Sequence, residues 1–295
     1  MSYYLNIKKN KPVSNESLLN HLADDQARIA YIQEEEFTSE IEAFHKYFIL
    51  EKSSRGIMVG LNGDTYEVII NVLCSEEDYL LATKIATQIA ILTEALISPE
   101  LSPVEGKNEL SVEEFQKHFN EKWAKANCTN GINAFRQLIY DRGTVTIAGC
   151  LRNVYVGQDL MRRFEKIKFK LSEKRMYALL VHHIRVIQFL PLNIFVPKEY
   201  EVVEDDGRRW NYISLTYNRE QLVSKTDFVI LELSGDHFIK VPFHKFQEYC
   251  KYNFFRLDEE QYRMPSHRKR SFVQLMKKFE NAEGNDSSNK WWKFW

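Results

Sequence analysis

The side chains in this chain that could do chemistry begin with its histidines. His182 and His183 are adjacent. On a helix they point about 100° apart, so they could not share one metal ion without distortion. Helices that bind metals space their ligands by three or four residues. The pair is therefore read as one packed and one solvent-facing histidine. His237 and His244 lie seven residues apart and lack a nameable third ligand. Glu201, Glu204, Asp205 and Asp206 crowd one hairpin tip. They lack the oxygen-ligand spacing of an EF-hand loop and are read as a solvated turn. No Walker loop, dinucleotide fingerprint, zincin helix or Gly-x-Ser-x-Gly elbow occurs, which removes the common phosphate-binding and zinc-protease classes. No catalytic residue, metal or cofactor is assigned. A hydrolase site assembled from scattered residues around His182, His183 or His237 stays open as an alternative.

Charge and aromatic residues offer more. From Arg263 to Lys278 there are six basic residues and no acid. Arg268, Lys269, Arg270, Lys277 and Lys278 form the basic side of a helix whose apolar side is Phe272, Met276 and Phe279. They are read as a contact for an anionic surface or nucleic acid, or as the wet side of a packed helix, with positive charge suiting a helix C-terminus. Glu34, Glu35, Glu36, Glu40 and Glu42 form an acidic run, read as an exposed charged linker. The chain ends in Trp291-Trp292-Lys293-Phe294-Trp295 after a polar stretch from Asn281 to Lys290. Burying each ring releases on the order of 2 kcal/mol, and the tether reaches roughly 18 Å. Trp291, Trp292, Phe294 and Trp295 are accordingly the expected partner-binding residues, docking on a protein or on their own domain ahead of weak contact with a membrane surface.

Composition bounds the rest. The chain has 295 residues, a formal net charge of −1, and 13% aromatic residues including 19 Phe and 15 Tyr. Near-neutrality leaves no global field for nucleic acid, and that partner is disfavoured. The aromatic share favours sheet and large contact surfaces. Cys74, Cys128, Cys150 and Cys250 are widely spaced, with no Cys-x-x-Cys pair, which fits reduced thiols. No apolar run reaches signal or membrane-spanning length, so the chain reads as cytoplasmic.

The elements that must position these residues can be read from pattern. Tyr3 to Lys8 predicts a strand and Ser14 to Ala23 a short helix with Leu18, Leu19 and Leu22 on one face. Asn62-Gly63 lies between alternating runs, Ile57-Val59-Leu61 and Tyr66-Val68-Ile70-Val72, and predicts a two-residue hairpin turn. Ser75 with Asp78 forms a capping box opening a long helix with Leu81, Ile85, Ile89 and Leu92 as its stripe. Ser111 with Glu114 opens a second helix, carrying Phe115, Phe119 and Trp123 at i+4. A third helix is expected from Ile132 to Tyr140, then one or two strands from Gly143 to Val156. Residues Leu160 to Leu190 fit either helix or strand. Two more hairpins are expected around Asp206-Gly207 and Ser234-Gly235-Asp236, then a helix after Pro242, with Phe243 and Phe246 on one face. Ser266 is read as the opening of the last helix.

Ser54-Arg55-Gly56-Ile57, the hairpin to Tyr66-Glu67-Val68, and Ser75-Glu76-Glu77-Asp78-Tyr79 resemble an uncharacterised bacterial family of about this length, known only as a domain of unknown function. The resemblance is firmest over residues 43–98. It brings no catalytic residues, and it implies a toxin–immunity or secretion-associated context by analogy.

These readings converge on an α+β fold, antiparallel β-hairpins packed against amphipathic helices in two sub-domains. The expected layout is residues 1–98, a linker and connecting helix over 99–130, a second sub-domain over 131–280, and a flexible tail over 281–295. The expected function is non-catalytic, intracellular protein binding, as an immunity or chaperone-like partner of a secreted bacterial protein. A nucleic-acid accessory role through the basic helix is a further alternative.

Overall fold

The computed structural model describes residues 2–22, 29–33, 41–167, 172–190, 194–203, 207–235 and 237–283. The fold is α+β, and the chain forms two compact units, Met1–Phe189 and Leu190–Trp295.

The first unit opens with β1 (Ser2–Lys8), α1 (Asn15–Leu22), β2 (Ile29–Gln33), β3 (Ile41–Ile49), β4 (Ile57–Asn62), β5 (Thr65–Asn71), α2 (Glu76–Thr93) and β6 (Ile97–Pro99). The strands form one antiparallel sheet in the order β2-β3-β4-β5-β1-β6. Alternation sets its inner face: Leu5, Ile7, Ile57, Val59, Leu61, Tyr66, Val68 and Ile70 are all buried. Helix α2 packs on this sheet through Leu81, Ile85 and Ile89, with Ala82, Ala86 and Ala90 buried beside them. The small side chains let the helix axis lie close to the strands. Its N-terminus carries the expected capping box between Ser75 and Asp78.

The β4–β5 hairpin forms one residue later than predicted. Asn62 pairs with Thr65, so the loop is Gly63-Asp64 rather than Asn62-Gly63. Gly63 has φ +60° while Asp64 does not enter the left-handed region, which is the sign pattern of a type II′ turn with glycine first. Gly60 in β4 serves close approach instead, because a Cβ there would sit 2.3 Å from the Phe44 ring.

The rest of this unit is α3 (Val112–His118), α4 (Glu121–Asn127), α5 (Ile132–Arg142), β7 (Thr144–Ala148), β8 (Asn153–Gly157), α6 (Gln158–Ile167) and α7 (Glu173–Gln188). The single aromatic helix expected after Ser111 is two. Phe119 leaves helical geometry at φ −97° and ψ 69°. The Asn120 side chain then accepts from Lys122 N and Trp123 N and caps a new helix. The rings still meet: Phe115 stacks on Phe119 at 4.3 Å, and Trp123 packs tilted against Phe119 at 4.7 Å. Both helices pack on α2, so residues 99–130 belong to the first unit, and the chain divides at Phe189/Leu190. The described residues of the ambiguous stretch from Leu160 fall mainly in helices α6 and α7, with Met176, Leu180 and Ile184 buried on α7.

The second unit holds β9 (Glu199–Val203), β10 (Arg209–Leu215), β11 (Gln221–Val223), β12 (Phe228–Ser234), β13 (His237–Pro242), α8 (Phe243–Asn253), β14 (Phe255–Arg256), β15 (Tyr262–Met264) and α9 (Lys269–Glu283). Its main sheet runs β13-β12-β10-β9. Two expected hairpins form it, but β10 and β12 are parallel. The intervening β11 leaves this sheet to pair with β15, so the chain re-enters in the same direction. Ile213, Leu215, Val229, Leu231 and Val241 point to one side and build a core with Phe243, Phe246, Cys250, Phe272, Leu275, Met276 and Phe279. The last helix begins at Lys269, three residues after the expected Ser266, and its expected apolar face is buried.

Candidate binding surfaces

The histidines are not brought together as a site. His182 is exposed on α7. His183 packs edge-on against Phe164 at 5.8 Å. Burial, with Arg163 and His182 as cationic neighbours, pushes its pKa down to about 4, so it is a neutral packing residue at physiological pH. His237 and His244 belong to the other unit and are exposed. Among the described residues no three His, Cys, Asp or Glu side chains gather as a metal site. All four cysteines are free and buried. Burial raises the thiols of Cys74 and Cys250 well above the ordinary range and that of Cys150 to about 12, which keeps them protonated and unreactive.

A highly connected buried polar group is Asp78, which the sequence marks only as a capping residue. Its Oδ2 accepts from Ser54 N at 3.0 Å, Ser54 Oγ at 3.1 Å, Arg55 N at 3.3 Å and Ser75 N at 2.9 Å. Arg55 then donates from Nη1 to Val72 O and from Nε to Ala148 O. Tyr177 OH donates to Cys74 O at 2.7 Å. These bonds tie the β3–β4 loop, the start of α2, the β7–β8 hairpin and α7 together. All four bonds to Asp78 go to its Oδ2, which fastens these elements together, while its Oδ1 is buried without a hydrogen-bond partner.

The second unit presents a different surface. Residues of opposite parity to its core share the outer side of the four-stranded sheet: Tyr200, Trp210, Tyr212, Phe228, Ile230 and Phe238, with Lys240 among them. None is fully buried; Tyr200 is 43% and Phe238 38% exposed. Tyr200 stacks on Tyr212 at 5.2 Å and Trp210 meets Phe228 edge-on at 5.4 Å. Lys240 Nζ lies 3.8 Å from the centre of the Phe228 ring, a cation–π contact. The unit's own helices pack on the other face. The aromatic excess in the composition hinted at such a face, but only the strand register reveals which rings share it.

Arg268, Lys269, Arg270, Lys277 and Lys278 are all exposed along α9, as read from the sequence. Lys278 Nζ lies 4.5 Å from the Tyr249 ring on α8. Glu201 pairs with Arg209 at 3.5 Å, while Glu204, Asp205 and Asp206 lie outside the described residues. So do Glu34–Glu36 and Glu40, and the expected partner-binding Trp291, Trp292, Phe294 and Trp295. Among the described residues no helix is long and apolar enough to cross a membrane.

Residues 2–236 match the family model described as domain of unknown function DUF4299, and the chain belongs to that family. The matched span ends before β13, so α8, β14, β15 and α9 follow it. No curated protein and no solved structure matches the chain.

Proposed function

We propose that this chain is a non-catalytic protein-binding protein of the bacterial cytoplasm, and that its partner docks on the outer aromatic face of the second unit's sheet. The observation that carries the reading is the placement of Tyr200, Trp210, Tyr212, Phe228, Ile230 and Phe238 on one partly open face. Exposed apolar surface of that kind marks interaction sites, and Tyr and Trp dominate the energetics of such sites. Four unpaired, protonated thiols are compatible with a reducing compartment. The aromatic end of the chain is the second element of this proposal, as a tethered anchor for the same partner.

The test is site-specific photo-crosslinking in the native host. A benzophenone side chain at Phe238 or Tyr200 is expected to give a discrete adduct with one protein. The same probe at Tyr140, an exposed ring of the first unit, is expected to give none. The adduct is expected to fade when Trp210→Ala is added. No adduct at the sheet positions, or the same adducts at Tyr140, would overturn the proposal.

A further inference from the structure

The side of the second unit away from the aromatic sheet face carries exposed rings that the sequence did not single out. Tyr252, near the end of α8, is 88% exposed and Phe255 in β14 is 68% exposed. A chain of contacts sets where they lie. Phe254 packs 6.0 Å from His267, just before α9, and 5.6 Å from Tyr249. Tyr249 in turn packs 5.6 Å from Phe279 and lies under Lys278. The stretch Tyr249–Phe255 therefore runs beside α9 between His267 and Lys278. Arg268, next to His267, and Lys278, over Tyr249, stand at the two ends of that stretch, with Lys277 beside Lys278, all exposed. Lys251, Lys269 and Arg270 are exposed elsewhere on the same two helices or their ends, as are the acidic Glu248 and Glu280. None of these cations forms an ion pair with a described residue. Arg263, opposite Phe255 on β15, is held by Glu220 at 2.7 Å, and is left out of the cationic set.

We propose that this α8–β14–α9 surface binds single-stranded nucleic acid. The argument is charge complementarity joined to open rings. A phosphate backbone suits exposed cations, and unpaired bases stack on aromatic side chains that stand clear of the surface. A membrane fits less well. An interfacial helix inserts its apolar face into lipid, and the apolar face of α9, Phe272, Leu275, Met276 and Phe279, is buried in the unit's own core. An acidic protein would satisfy the cations and leave Tyr252 and Phe255 unused. This surface is independent of the sheet face, so the two proposals fail separately.

The experiment is fluorescence anisotropy of the full chain with a labelled oligo-U, with duplex RNA of equal length, polyglutamate and phosphatidylserine vesicles as competitors. With about four phosphates neutralised, affinity is expected to drop roughly 50-fold between about 50 mM and about 200 mM salt. Tyr252→Ala and Phe255→Ala, both at exposed positions, are each expected to weaken binding between about fivefold and about a hundredfold at constant salt slope. Phe255→Trp is expected to retain it. Lys277→Glu with Lys278→Glu is expected to lower the slope by about 1.4. Phe238→Ala, on the sheet face, is expected to leave oligo-U binding unchanged. The proposal is overturned if oligo-U does not bind, if both ring variants bind like the parent, or if any of the three competitors displaces it as well as unlabelled oligo-U does.

Discussion

Replacing Asp78 by Ala should detach the first unit's fastening, and the structure allows the size of the effect to be worked out. Asp78 has no exposed surface, and its Oδ2 takes four donors. Without it, Ser54 Oγ can keep its bond to Leu73 O at 2.7 Å. The backbone N–H groups of Ser54, Arg55 and Ser75 all lose the acceptor that Asp78 gives them. Each buried donor left unpaired costs about 1–3 kcal/mol. Removing a buried carboxylate returns part of this by relieving its desolvation. The net loss is therefore about 3–5 kcal/mol, a large share of the roughly 5–15 kcal/mol that stabilises a domain. Urea unfolding followed by far-UV circular dichroism, with hydrogen exchange to separate the two units, is the assay. The first unit's midpoint should fall by about 1 M or more. Ser54→Ala is the control, because it removes the hydroxyl and leaves the backbone bonds, and should cost less than about 1.5 kcal/mol. An Asp78→Ala midpoint within about 0.3 M of the parent, or a Ser54→Ala loss of the same size, would refute the reasoning.

Gly60→Ala would push a methyl to 2.3 Å from the Phe44 ring. It should cost about 1–3 kcal/mol, read as a lowered Tm, and combining it with Phe44→Leu should be less than additive; an unchanged Tm counts against the packing described. For His183 the pH dependence has a defined sign. Its pKa is about 4 when folded against an ordinary 6.5, so the unfolded chain takes up a proton that the folded chain refuses. Stability is complete above the ordinary value and is lost as pH falls through 6.5 toward 4. Between about pH 7 and about pH 5 the loss from this group should be about 2 kcal/mol. His183→Phe should remove that slope from urea midpoints, and a variant as pH-sensitive as the parent would reject it.

Local chemistry was legible in the sequence wherever neighbours decide the outcome. Ser75-Asp78 and Ser111-Glu114 form the boxes they spell, and the hairpins pair as their alternation requires. Helix length was less legible. Phe115, Phe119 and Trp123 keep helical spacing across Asn120, and periodicity registers no break where a side chain caps a new helix. The unit boundary was hidden for a related reason. Prolines and a glycine over 99–110 look like a linker, yet α3 and α4 pack back on α2, a long-range contact that composition cannot encode. Asp78 shows the same limit. Its local role as a cap is written at i and i+3, while its bonds to Ser54 and Arg55 span more than twenty residues.

The candidate faces were hidden because parity, not composition, assigns them. In β10, Trp210 and Tyr212 alternate with Ile213 and Leu215 in adjoining positions, so both faces of the strand are apolar. A one-residue slip would exchange them, and hydrophobicity alone penalises that slip only weakly. Side-chain shape breaks the tie. Aliphatic Ile213, Leu215, Val229, Leu231 and Val241 interdigitate with the helices, where branched side chains pack without a polar atom to satisfy. Tyr200 and Tyr212 go to the other side, where water or a partner can reach the hydroxyl, while Trp210 shares that side with its Nε1 buried and without a hydrogen-bond partner. A fold selected only for stability would end such a sheet in Thr, Lys and Glu on its outer side. Keeping large rings there leaves apolar area in water without adding to the core, and the proposed docking surface rests on that observation.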